Sequence, residues 1–154
     1  MLALVFAMCA AAQVSTDPNA ARDAKLIAAV KAVPIQKLDP LLPDEPFERW
    51  LRAQSGRDAQ FHWEVNDCGE QTGTPGDSGP IPLCVEVDSA LKDGRQIVIF
   101  IANDQPSNDG PPEWKIFFAQ LTTSHEKINL RRLSDLPAAL IKTHQLTHHP
   151  ETAK

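Results

Sequence analysis

The chain has 154 residues, 42% apolar and 23% charged, with 13 prolines and 7 glycines. That composition belongs to an ordinary folded chain and excludes a disordered tail, a collagen or a coiled coil. A net charge of −5 gives no basic footprint for a phosphate backbone, so no nucleic acid partner is expected.

Residues 2–12 form an uncharged apolar run closed by Ala10, Ala11 and Ala12, the small residues that a signal peptidase reads before Gln13. Eleven residues are too few for a membrane-spanning helix, which needs about 20, so residues 1–12 read as a secretory signal and no transmembrane segment is expected. The first basic residue is Arg22, whereas a signal normally opens with Lys or Arg. A start further upstream would supply one, and the alternative is an N-terminal helix buried in the core. Cys9 is a poor lipid-attachment site, with Phe6 and Met8 where an aliphatic and a small residue belong. Cleavage after Ala12 leaves residues 13–154 as a single domain in which Cys68 and Cys84 are an even pair. A disulfide between them fits a periplasmic or secreted protein, and in the chain-entropy treatment a loop of that size contributes about 3 kcal/mol.

Asp17 and Pro18 start a helix that the pattern carries to about Val33, with Leu26, Ile27, Val30 and Val33 on one stripe. Three prolines between Pro34 and Pro43 predict an extended connector. A second helix is expected from Asp44, with Pro46 in its first turn, to just before Gly56; Phe47 and Trp50 face the core, and Arg49 and Arg52 face solvent.

From Gln60 the period becomes two. Phe61, Trp63 and Val65 alternate with His62, Glu64 and Asn66, and Leu83, Val85 and Val87 alternate with Cys84, Glu86 and Asp88. Asp93-Gly94 then marks a hairpin into the apolar run Gln96 to Ala102, a strand that is central or covered on both faces. A fourth strand is expected over Glu113 to Thr122 and a short fifth over Lys127 to Leu130. A last helix follows from Ser134 or Asp135, and a polar tail frays from about residue 144. The sum is an α+β fold: N-terminal helices on an antiparallel meander of four to five strands, with one C-terminal helix. In element order alone it resembles the helix-on-curved-sheet arrangement of cystatin-like domains, a likeness without a motif that implies no function.

No sequence motif assigns a catalytic site. Gly76-Asp77-Ser78-Gly79-Pro80 resembles the nucleophile string of trypsin-like proteases with one glycine missing, and the backbone spacing lost with it is what builds an oxyanion hole. His144 and His148 share a helical face and His149 follows, but no cysteine accompanies them, so no metal or other cofactor is expected. His62, Glu64, Asn66, Glu86 and Asp88 fall on the polar side of the first two strands. A histidine with two carboxylates there is the minimum of a general acid/base site, which makes a small exported hydrolase the alternative reading.

Charge is distributed by region. Residues 58–114 contain 11 acidic residues against Lys92 and Arg95 alone, while the segments on either side are net basic. In an up-and-down meander the two long loops emerge at one end, which gathers Asp67, Glu70, Asp77, Asp104, Asp109 and Glu113 into an acidic rim. The Lys92 and Arg95 hairpin lies at the other end. Loops held by a rigid sheet are the usual place for binding residues. The expected function is therefore a non-enzymatic binding module, its acidic loop pair meeting a basic protein, a cell-envelope component or Ca²⁺.

Overall fold

The computed structural model describes residues 18–68, 83–103 and 112–148. The leader at 1–12, the Gly76–Pro80 string, Glu70, Asp77, Asp104, Asp109 and His149 lie outside these segments. Helices α1 (Pro18–Ala32), α2 (Ile35–Leu38) and α3 (Phe47–Ser55) precede the strands β1 (Gln60–Asp67), β2 (Leu83–Ala90), β3 (Gln96–Asn103), β4 (Trp114–Thr122) and β5 (Lys127–Asn129). A 3₁₀ turn at Leu133–Asp135 leads into α4 (Leu136–His148). The strands form one antiparallel sheet in the order β1-β2-β3-β4-β5, so the fold is α+β and the meander is five-stranded.

Strand alternation sets which face is dry. Val85, Val87, Ile97, Ile99, Ile101, Ala119 and Leu121 are buried on one face, where they meet Val30 and Val33 from α1 and the end that follows it, Phe47, Trp50 and Leu51 from α3, and Leu133 and Leu136. Burial of the sixteen large apolar side chains of this cluster, each worth roughly 1.5–3 kcal/mol, is what holds helices to sheet. The stripe expected for α1 is correct: Leu26 and Ile27 pack against this core beside Val30 and Val33. Strand β3 is central, as its unbroken apolar run implies.

The stretch after Pro34 differs from the expected extended connector. It contains the helical turn α2, and Pro34 pairs with Pro46 across an isolated β-bridge. The Ile35 amide donates to the Glu45 carbonyl at 2.8 Å and the Phe47 amide to the Val33 carbonyl at 2.8 Å. Prolines lack an amide hydrogen, but the residues after them do not, and those amides close the loop. Helix α3 consequently starts at Phe47, with Pro46 as its N-cap, and stops at Gly56, whose φ of 90° an L side chain rarely adopts.

Two polar links fix elements far apart in sequence. Asp39 is 3% exposed, and its carboxylate accepts hydrogen bonds from the Leu41 amide at 3.1 Å and the Ser134 amide at 2.9 Å. Burial pushes this carboxyl up, but the amides of Ser134 and Leu41 and the nearby Arg132 outweigh it and hold the group below its ordinary value. At the β2–β3 hairpin the Leu91 carbonyl accepts the Gly94 amide at 3.0 Å, and Gly94 adopts a φ of 86°. Arg95 is not part of an exposed basic tip. It is 7% exposed; its Nη1 donates to the Leu140 carbonyl and to Thr143 Oγ1, both at 2.6 Å, and its Nη2 pairs with Asp93 at 2.7 Å. The guanidinium thus joins the hairpin to α4, and Lys92 is left as the exposed cation of the turn, 3.5 Å from Asp58.

Replacing Arg95 by Met should therefore destabilise the protein by about 2–4 kcal/mol in denaturant unfolding, because it strands the Asp93 carboxylate and two acceptors on α4. A loss under about 0.5 kcal/mol would mean that the hairpin and α4 are not coupled through this side chain.

Candidate functional site

The second face of the sheet carries a different chemistry. His62, Glu64 and Asn66 of β1 stand opposite Asp88, Glu86 and Cys84 of β2, and β3 continues the same rows with Val98, Phe100 and Ala102. Among the described residues no helix packs on this face. Two zones lie side by side: a carboxylate zone on β1 and β2, and an apolar zone in which the rings of Phe100 and Phe118 meet edge to face at 5.9 Å.

A β-bulge shapes the apolar zone. Phe118 lies opposite Phe100 but Ile116 lies opposite Ile101, so Phe117 is the extra residue and is 41% exposed. Cys68 and Cys84 are joined by a disulfide with Cα atoms 5.5 Å apart, and both are buried against Phe100, with Val98, Ala102 and Phe118 packed around them. Cys84 is in register with Asn66, so the bond runs diagonally from one residue past the end of β1 and ties β1 to β2 beside the carboxylates.

The register places Glu64 directly opposite Glu86. Like charges in that relation repel, and Asn66 bridges them: its Nδ2 donates to Glu64 Oε1 at 2.8 Å and also to Glu86 Oε2. His62 Nε2 lies 3.5 Å from Glu64 Oε2, with the two side chains 71% and 45% exposed. The environments split the pair. The Asn66 hydrogen bond holds the Glu64 carboxyl below its ordinary value, whereas burial, and then the hydrogen bond and charge of Glu64 with the charge of Asp88, push Glu86 up. Asp88 is raised as well, by burial first and then by the charge of Glu64. Its Oδ1 is buried without a hydrogen-bond partner among the described residues, as is Trp63 Nε1 on the other face. The grouping read from the sequence is thus a spatial cluster in which one carboxyl is held below its ordinary value and two are pushed above theirs.

Of the expected acidic rim, Asp67 and Glu113 are described. Asp67 is exposed at the end of β1. Glu113 precedes β4, with its amide held by Asn103 Oδ1 at 3.1 Å and its carboxylate 3.8 Å from Lys115. Register puts both at the same end of the sheet, separated by three strand spacings, or about 14 Å. His144 lies close enough to Asp93 to add to the pull that Arg95 chiefly exerts on that carboxyl, holding it below its usual range. Among the described residues no group of three or more His, Cys, Asp or Glu side chains is placed to hold a metal ion, and no helix is long and apolar enough to cross a membrane.

The sequence pattern identified the polar face, but it missed the exact opposition of the two glutamates and the aromatic zone beside them. No protein family, curated protein or solved structure matches the chain. The likeness to cystatin-like domains accordingly remains one of element order.

The raised Glu86 carboxyl has a definite consequence for stability. A folded-state value above the unfolded one means that the folded protein binds more protons, so stability falls as pH rises from the ordinary glutamate range, about 4.3, through the folded value. Glu86→Gln should raise thermal stability at neutral pH by up to about 1 kcal/mol and lose that advantage near pH 4. A variant less stable than the parent at pH 7, in parallel melts across that range, would contradict the like-charge assignment.

Proposed function

We propose that the chain is an exported, disulfide-stapled binding module that docks a cationic, partly apolar protein segment on the acidic face of its sheet. The observation that carries this reading is the Glu64–Glu86 opposition, with Asp88 alongside, on a face bare of described helices and next to Phe100 and Phe118. Carboxylates arranged against one another reduce stability, and folds tolerate such arrangements where a ligand relieves them. A lysine or arginine entering the group would pair with Glu64, supply a donor to Asp88, whose Oδ1 lacks one among the described residues, and offset the like charge that helps to push the Glu86 carboxyl up. Aromatic side chains beside a charged zone suit a partner that alternates basic and apolar residues. Asp67 and Glu113, with Glu70, Asp77, Asp104 and Asp109 in the connections that start from the same end of the sheet, would extend the negative field towards such a partner. Export is supported by the apolar leader and by the Cys68–Cys84 bond, which an oxidising compartment preserves.

Titration calorimetry with a lysine- and leucine-rich peptide should give saturable binding that falls as salt rises. A Glu64→Gln, Asp88→Asn double variant should weaken it at least about tenfold. Equal binding of a peptide with glutamine in place of lysine, or full affinity in the variant, would sink the proposal. Stabilisation by millimolar Ca²⁺ that disappears in Asp77→Asn with Asp104→Asn would instead assign the loop end to a hard cation, and salt-dependent retention on envelope fractions without peptide binding would assign it to a cell-envelope component.

The split of the two glutamates favours a second reading, a small exported hydrolase. Burial and neighbouring charge push the Glu86 carboxyl up while the Asn66 hydrogen bond holds Glu64 down, the divergence between two carboxyls that general acid/base catalysis uses, and His62 stands beside Glu64. Any esterase, peptidase or glycosidase activity found in a substrate screen should vanish in both Glu86→Gln and His62→Ala; activity surviving both changes removes this reading.

A further inference from the structure

A cleft of about 460 Å³ lies where α2 and the turn after it face the start of β4 and the chain between β5 and the 3₁₀ turn. Four cations line it: Lys37, Lys115, Arg131 and Arg132. Its one carboxylate, Asp39, is buried, and both of its oxygens are taken up by the amides of Leu41 and Ser134. Lys115 is partly balanced by Glu113 at 3.8 Å, and Arg132 by Asp39, whose carboxyl its charge helps to hold down. The lining therefore has a marked positive excess within a chain whose net charge is −5. Apolar surface accompanies the charge, because the lining includes Trp114, which is almost fully buried, and Leu41, which is 68% exposed.

We propose that this cleft binds a small organic anion, with a carboxylate or phosphate group held by Arg131 and Arg132 and an apolar portion laid on Leu41 and Trp114. A guanidinium group matches the oxygens of such a head group with paired hydrogen bonds, which a point charge does not offer, and two arginines line this cleft. The volume falls within the range of small-molecule sites, and a few charged groups above an apolar floor are their usual make-up. Asp39 is a positioning residue here: by bonding the amides of Leu41 and Ser134 it holds the two walls at a fixed separation without facing the anion as a free charge. The site is separate from the acidic sheet face, so each stands or falls by its own test.

Amide and indole shifts in NMR spectra, recorded during titrations with phenyl phosphate, phenylacetate and inorganic phosphate, test the proposal directly. Saturable shifts are expected at residues 37–41 and 131–133 and at the Trp114 indole. An Arg131→Gln, Arg132→Gln double variant should raise Kd at least about tenfold while its melting temperature stays within a few degrees of the parent, and Lys127→Gln on β5 should leave Kd unchanged. Phenyl phosphate against phenylacetate distinguishes a phosphate from a carboxylate ligand, and either one binding supports the site. Absence of saturable shifts up to about 10 mM of every probe, equal affinity in the double variant, or shifts spread over all surface cations would overturn it. Inorganic phosphate binding as tightly as phenyl phosphate would overturn the apolar half of the assignment.

Discussion

The register of β1 on β2 is the constraint on which the rest of the molecule depends. Side chains alternate between faces with a period of two, so a slip of one residue would turn Trp63 and Val65 to the polar side and bring His62 and Glu64 against the helices. Two devices prevent that slip. Val85 and Val87 are almost fully buried in the core beneath α1 and α3, and the diagonal Cys68–Cys84 bond fixes the end of β1 against the start of β2. With that register set, Glu64 has no alternative but to face Glu86, and the acidic character of the second face follows.

Apolar burial and the carboxylate cluster are consequently divided between the two faces. The helix-covered face carries the burial that keeps the chain folded, centred on Ile97, Ile99 and Ile101 of the middle strand. The other face holds groups that act against stability: two carboxyls raised by burial and by the charge of Glu64, and a buried oxygen without a donor among the described residues. The polar links fall outside both faces. Asp39 ties the loop after α2 to Ser134 before α4, and Arg95 ties the β2–β3 hairpin to the side of α4, so the C-terminal helix is anchored from two directions.

The order of elements was legible because each depended on local chemistry: alternation for β1 and β2, Asp93-Gly94 for the hairpin, an apolar run for the central strand. The pairing of Cys68 with Cys84 followed from counting. What stayed hidden depended on distant partners. The helical turn at Ile35–Leu38 is closed by amide bonds from Ile35 to Glu45 and from Phe47 to Val33, which a cluster of prolines does not advertise. Arg95 reads as a basic residue of an exposed turn until Leu140 and Thr143 are brought to it. The bulge at Phe117 arises from a mismatch between β3 and β4, not from any signal in β4 alone. For the same reason sequence alternation put Glu64 and Glu86 on one face without showing that they are directly opposed.

The Glu86 carboxyl reports most directly on whether that opposition serves binding. A ¹³C NMR titration of its side-chain carboxyl carbon, with and without a saturating lysine-rich peptide, would follow the proton itself. Docking of a cation against the pair predicts an apparent pKa above the ordinary glutamate range in the free protein and a fall when the peptide is bound. An apparent pKa that the peptide leaves unchanged would contradict it.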